Sequence, residues 1–196
     1  MRIVAGSAKG VRLGPVPPAV RPISDRAREG LFSSLGPAAL EDANVLDLYA
    51  GTGAAGIEAL SRGATTAVFV DRSPAAVNAI KRNLATTKLE LRAEVQPSAA
   101  ARFVARDDRP GAPYDLVICD PPYDLGPPEL DEVLAALAGG WLRDDTWTVV
   151  LTRGHKSSMC VIPLHWVVAR RLRYGDSLVI LFRPRSRPRS MEVPWA

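Results

Sequence analysis

Cysteine and histidine are scarce in this chain. Cys119, Cys160, His155 and His165 are the only examples in 196 residues, and they lack the close spacing of a zinc site or a disulfide framework. A metal-built scaffold is thereby excluded and no metal is expected. Both cysteines sit inside apolar runs, Val117 to Cys119 and Cys160 to Ile162, and are expected as reduced core residues. No run of about 18 apolar residues occurs, which is what a membrane-spanning helix needs. The first residues, Met1 to Gly6, lack the apolar stretch of a signal peptide, so a soluble cytoplasmic protein is expected. There is no internal repeat, and no low-complexity stretch apart from the Arg-Pro-Arg-Ser tail. The length leaves no room for two domains of ordinary size, while 47% apolar content supplies the core of one.

The net charge of +4 is unevenly placed. Residues 1 to 30 hold Arg2, Lys9, Arg12, Arg21, Arg26 and Arg28 against Asp25 and Glu29, a net of +4. Residues 183 to 196 hold four arginines against Glu192, a net of +3, which leaves −3 for the middle. Basic ends around an acidic centre suit a polyanionic partner gripped by appended segments; the alternative is a pair of solubilising tails.

Met1 to Pro18 is rich in glycine and proline, with short alternating pieces that read as a small hairpin or arm. Ser24 offers a helix N-cap, Ala27, Leu31 and Leu35 give that helix a face, and Gly36-Pro37 stops it. From Asn44, strand and helix alternate, as in an open parallel sheet covered on both sides. The expected strands are 45–49, 66–71, 91–95, 115–119 and about 146–151, and helices are expected at about 54–62, from Ser73-Pro74 through Leu84, and at about 128–137. The last two strands, 161–169 and 177–182, are joined by a link too short for a helix and are expected to pair antiparallel.

The turn Asp47-Leu48-Tyr49-Ala50-Gly51-Thr52-Gly53-Ala54-Ala55-Gly56 puts glycines where a strand passes into a helix, and Asp71 ends the next strand about twenty residues on. Backbone can approach a ligand there, and an acidic side chain can meet ribose hydroxyls. This alone does not separate a nicotinamide or flavin cofactor from S-adenosylmethionine. Asp47 favours the latter, because a carboxylate in the cleft would attract its ammonium group and repel a pyrophosphate. The other role open to Asp47 is to cap the loop by hydrogen bonds.

Asp120-Pro121-Pro122-Tyr123 follows the fourth strand at the carboxyl edge, where ligands of such sheets bind. The prolines fix the Asp120 side chain and the Pro121 carbonyl as two acceptors for one NH2 group, whose lone pair is then free to attack a sulfonium methyl. Tyr123 would stack on the base that carries the amine. The alternative is a rigid loop with an exposed tyrosine. Methyl transfer to the exocyclic amine of a nucleic-acid base is therefore the reading that uses both motifs.

These residues, in this order, resemble the RsmD family, which methylates guanine N2 in 16S ribosomal RNA. The likeness runs through Arg2 to Gly6 with Gly10 to Leu13, Arg21 to Glu29 with Leu31-Phe32, Leu46 to Gly53, Asp115 to Tyr123, and Arg173-Tyr174-Gly175-Asp176. It implies a class I S-adenosylmethionine-dependent methyltransferase, an α/β Rossmann-like fold with a seven-stranded, mostly parallel sheet and an antiparallel last strand. A short N-terminal hairpin and helix would precede it. The expected organisation is a basic arm and helix over 1–40, the methyltransferase domain over 41–185 and a basic tail over 186–196. By the same likeness Asp47, Tyr49, Ala50, Gly51, Thr52, Gly53, Asp71, Arg72 and Ser98 would hold the cofactor, S-adenosylmethionine. Asp120, Pro121, Pro122 and Tyr123 would hold guanine, and Arg2, Lys9, Arg12, Arg21, Arg26 and Arg28 would meet RNA. The partner implied is 16S rRNA in an assembled or assembling small subunit, with the enzyme a monomer. Two positions depart from the family: Ile23 replaces a threonine, and Gln96-Pro97-Ser98-Ala99 lacks an aspartate, leaving Ser98 or backbone to meet the adenine amine. The rival readings are a DNA adenine-N6 methyltransferase, for which no insertion large enough to read duplex sequence is present, and a nicotinamide-dependent oxidoreductase, which leaves Asp120 to Tyr123 unused.

Overall fold

The computed structural model describes residues 1–17, 24–155, 157–158 and 160–185. After α1 (Asp25–Leu35) the chain alternates β1 (Asn44–Leu48), α2 (Ala54–Ser61), β2 (Thr66–Asp71), α3 (Pro74–Thr87), β3 (Ala93–Pro97), α4 (Ala100–Val104), β4 (Leu116–Cys119), α5 (Pro127–Ala138) and β5 (Thr148–Gly154). The hairpin β6 (Trp166–Tyr174) and β7 (Ser177–Pro184) follows. β1, β2 and β4 are buried at nearly every position, as parallel strands covered by helices on both faces must be. The side chains of Ser24 and Ser73 accept hydrogen bonds from the Ala27 and Ala76 amides, and so start α1 and α3 where the capping residues predict.

The seven strands lie in the order β3-β2-β1-β4-β5-β7-β6. Strands β1 to β5 are parallel, and β7 runs antiparallel between β5 and β6. This is the expected sheet. Its order reverses between β1 and β4, and a ligand crevice opens beyond their carboxyl ends.

Three elements differ from expectation. β6 begins five residues later than the apolar run suggests. Pro163 lacks the N–H a strand needs, and Val161 and Leu164 are exposed, while Arg170 to Arg173 lie in the strand. β3 starts at Ala93 because Glu90–Arg92 forms a 3-10 turn with Leu91 almost fully exposed. The five-residue α4 was not anticipated; it buries Ala100, Phe103 and Val104.

The N-terminal arm is sewn onto α2. Arg2 and Arg12 form an antiparallel bridge, and the amides of Val4 and Ala5 donate to the buried Glu58 carboxylate at 2.8 and 3.0 Å. Ser61 Oγ donates to the Ala5 carbonyl at 2.6 Å and accepts from the Ala8 amide. Gly6 has φ 83°, and a Cβ there would lie 1.7 Å from the Ser61 carbonyl oxygen, so only glycine permits this approach. Ile3, Leu13, Leu31 and Phe32 share one core cluster with Ile57 and Leu60 of α2. Arg28, expected among the RNA contacts, is corrected by this packing. It is fully buried, with its guanidinium beside Glu58 and Asp25 and donating to the Arg2 carbonyl.

Candidate active site

Beyond β1 the backbone turns sharply through left-handed conformations at Tyr49 (φ 58°), Gly51 (φ 58°) and Gly53 (φ 75°). The glycines adopt this freely, whereas Tyr49 is a strained residue of the kind that gathers at functional sites. The Gly51 amide donates to Asp71 Oδ2 at 2.9 Å and the Ser73 amide to Asp71 Oδ1 at 2.8 Å. Two amides thus fix the carboxylate at the mouth of β2, with lone pairs left for a further donor. Asn83 of α3 donates to the Thr52 carbonyl and pins the turn from behind.

Asp47 does not take the place expected of it. Its side chain is buried behind the turn, where Oδ2 accepts from the Gly56 amide at 2.9 Å, and it does not line the cleft. The capping role is the one observed. Burial pushes its pKa well up, against the lowering effect of the Gly56 amide and with nearby Asp120 and Asp71 adding to the rise. Gly56 is required here too, since a Cβ would meet the Phe69 ring at 2.4 Å.

A cleft of about 660 Å³ opens over the switch between β1 and β4. Tyr49, Gly51, Asp71, Arg72 and Ser98 line it, with Ser73, Ala99 and Ala100 alongside. Asp120, Pro121, Pro122 and Tyr123 line it as well. Ala50, Thr52 and Gly53 build the turn without lining the cleft. The structure therefore brings the two motifs to one cavity. The Asp120 amide donates to the Leu48 carbonyl at 3.4 Å, which ties the Asp120–Tyr123 loop to the end of β1. The Tyr123 ring lies against Gly154, and its hydroxyl shares a 2.6 Å hydrogen bond with Ser177 Oγ.

Sequence reasoning did not assign Ser24, Glu129, Thr152, Tyr174, Asp176 or Ser177 to this cleft, yet all line it. Tyr174, Asp176 and Ser177 come from the turn of the β6–β7 hairpin; Arg173 to Asp176 carries the family likeness and was the available signal. Tyr174 is seated by α1: a Cβ on Gly30 would lie 1.7 Å from the Tyr174 hydroxyl. Among the expected RNA contacts, Arg2, Lys9, Arg12 and Arg26 are exposed. Arg21, Ile23 and the tail 186–196 lie outside the described residues.

A family model described as conserved hypothetical protein 95 matches residues 1–183. The ribosomal RNA small subunit methyltransferase D of Escherichia coli is 36% identical over 186 residues, which cover 93% of this chain and 89% of that protein. The protein of the same name from Haemophilus influenzae is 30% identical over 178 residues, 89% of each chain. A solved Escherichia coli structure, of a protein assigned as a candidate methyltransferase, superposes with a TM-score of 0.82 at 34% identity, covering 95% of this chain and 99% of that one. The chain thus has the class I methyltransferase fold, and it belongs to the family of the ribosomal RNA small subunit methyltransferases D.

Proposed function

We propose that this chain transfers a methyl group from S-adenosylmethionine to the N2 amine of a guanine in 16S rRNA, acting as a cytoplasmic monomer on an assembled or assembling small ribosomal subunit. One observation carries the reading: residues of the Asp120–Tyr123 loop and Gly51 and Asp71 of the glycine turn line a single cleft. The cofactor fits the residues present. Asp71, fixed by the Gly51 and Ser73 amides, suits ribose hydroxyls, and Gly51 leaves no Cβ between turn and cleft. Tyr49, Gly51, Asp71, Arg72 and Ser98 would hold it. When bound, it supplies an electrophilic methyl group on a sulfonium.

The chain's own residues then need only grip and orient the amine. Asp120 and the Pro121 carbonyl accept its two hydrogens, so the lone pair leaves conjugation with the ring and points at the donor site of the cleft. Positive charge would develop on that nitrogen as its bond to the methyl carbon forms and the carbon–sulfur bond breaks to leave a neutral thioether, and acceptors already in place would stabilise it without reorganisation. The proton then passes to the Asp120 carboxylate. Tyr123, held by Ser177, walls the base in place. Asp47 acts on the turn and not on the ligand, because its oxygen is spent on Gly56.

The test is mass spectrometry of 16S rRNA from cells lacking the protein. One N2-methylguanine should vanish and return on complementation; an unchanged set of methylated guanines would overturn the reading.

A further inference from the structure

The charge count over residues 31–182 is negative, yet it conceals a strongly basic hairpin. From Cys160 to Arg185 the chain carries Arg170, Arg171, Arg173, Arg183 and Arg185 against a single acidic residue, Asp176. β6 is the outermost strand of the sheet, paired only through β7. Arg170, Arg171 and Arg173 are all exposed, and among the described residues none of them forms an ion pair. Arg173 makes one long bond, 3.4 Å, to the Gly175 carbonyl.

Register places these charges. Arg171 lies opposite Ile180 and Arg173 opposite Leu178, so both share one face of the hairpin, while strand alternation puts Arg170, opposite Leu181, on the other face. Immediately after Arg173 come Tyr174, Asp176 and Ser177, which line the cleft, with Ser177 hydrogen-bonded to Tyr123. α1 packs against this strand, its N-cap Ser24 lines the cleft and its Arg26 is exposed. Gly30 against Tyr174 locks the strand to this helix. Exposed arginines on both faces of this edge strand therefore lead up to the hairpin turn, whose Tyr174, Asp176 and Ser177 share the cleft lining with Asp120 and Tyr123.

We propose that β6 is a phosphate-gripping surface: Arg170, Arg171 and Arg173 hold the RNA backbone that flanks the nucleotide entering the cleft. This rests on the functional reading above and adds a surface that the basic N-terminal arm does not include. A guanidinium row neutralises phosphates in any sequence, so it positions RNA without reading it. The competing role is protective, since charges on an edge strand discourage pairing with another chain.

The test compares the full chain with its Arg170→Gln, Arg171→Gln, Arg173→Gln triple variant. The probe is small ribosomal subunits from cells lacking the protein, titrated between about 50 and 200 mM salt. Each lost phosphate contact lowers the slope of log K against log salt by about 0.7–0.9, so the slope should fall by roughly 2–3. KM for subunits should rise at least about tenfold with kcat retained, the mark of lost uniform binding. Donor affinity by calorimetry and thermal midpoint should stay as in the wild type. A variant with the wild-type slope and KM overturns the proposal, and one that also self-associates assigns the arginines to edge protection. Wild-type protein that binds subunits without salt dependence would sink this proposal while leaving methyl transfer, scored by mass spectrometry, to stand or fall separately.

Discussion

Three aspartates, Asp47, Asp71 and Asp120, lie near the carboxyl ends of adjacent strands, the last two lining the cleft and Asp47 behind it, and their surroundings give them different work. Asp71 is saturated by amides on its inner side and offers its outer side to the cleft. Asp120 begins the Asp120–Tyr123 loop. Replacing it by alanine removes an acceptor that matters most as charge develops, so kcat should fall by about 10²–10³ while donor affinity, read by calorimetry, is unchanged. Near-normal turnover would remove Asp120 from the chemistry. Asp47 predicts a different effect. Its folded-state pKa is raised by burial, so its contribution favours folding below the ordinary value of 3.8 and is lost as pH climbs through the raised value. Asp47→Asn should therefore unfold at a higher temperature than wild type at neutral pH, and that advantage should shrink as pH falls through the raised value and be gone below about 4, the reference carboxylate range. A melting-temperature difference that does not vary with pH would contradict the assignment. The sequence marked all three carboxylates as site residues. It could not show that Asp47 turns inward, because that direction is fixed by the Gly56 amide, which meets the carboxylate only once α2 has folded back on β1.

Among the elements, α2 has the widest reach: its amino end meets Asp47 through Gly56, and its carboxyl end seats the arm through Glu58 and Ser61. Glu58 is fully buried, bonds two backbone amides and Arg62, and lies beside the buried Arg28. Truncating one partner of such a cluster leaves the other charge uncompensated, so Glu58→Ala should cost about 3–5 kcal/mol in denaturant unfolding. Faster hydrogen exchange at Val4 and Ala5 should accompany it; a loss below about 1 kcal/mol, within the range of a surface pair, would show that the cluster is not a staple. Nothing in the sequence distinguished Glu58 from an ordinary polar helix position, since the backbone amides it binds, Val4 and Ala5, lie more than fifty residues away. Central strands were legible because burial on both faces writes a continuous apolar run, as in Leu116–Cys119. β6 was misplaced for the converse reason: an edge strand needs no such run, so arginines could occupy it while the apolar stretch before it remained outside.

For the molecule as a whole, the order of the sheet accounts for how much could be read in advance. The glycine turn and the Asp-Pro-Pro-Tyr loop are local signals, and they meet because β1 and β4 are neighbours at the switch. The remainder of the cleft is assembled from distant pieces: Ser24 from the helix before the sheet, Thr152 from β5, and the hairpin turn at Tyr174 to Ser177. No local pattern announces that convergence. The total charge was similarly misleading, since an acidic middle and a basic edge strand cancel in any sum over sequence.

The seating of the arm has a mechanical meaning. Residues 4–8 are bonded to one end of α2, and Gly56, near its other end, holds Asp47 behind the glycine turn. Eight helical residues span only about 12 Å. A tug on the arm by a bulky polymer is thus delivered along a stiff strut of two turns to the backbone that would cradle the small molecule, with no flexible joint in between to absorb it.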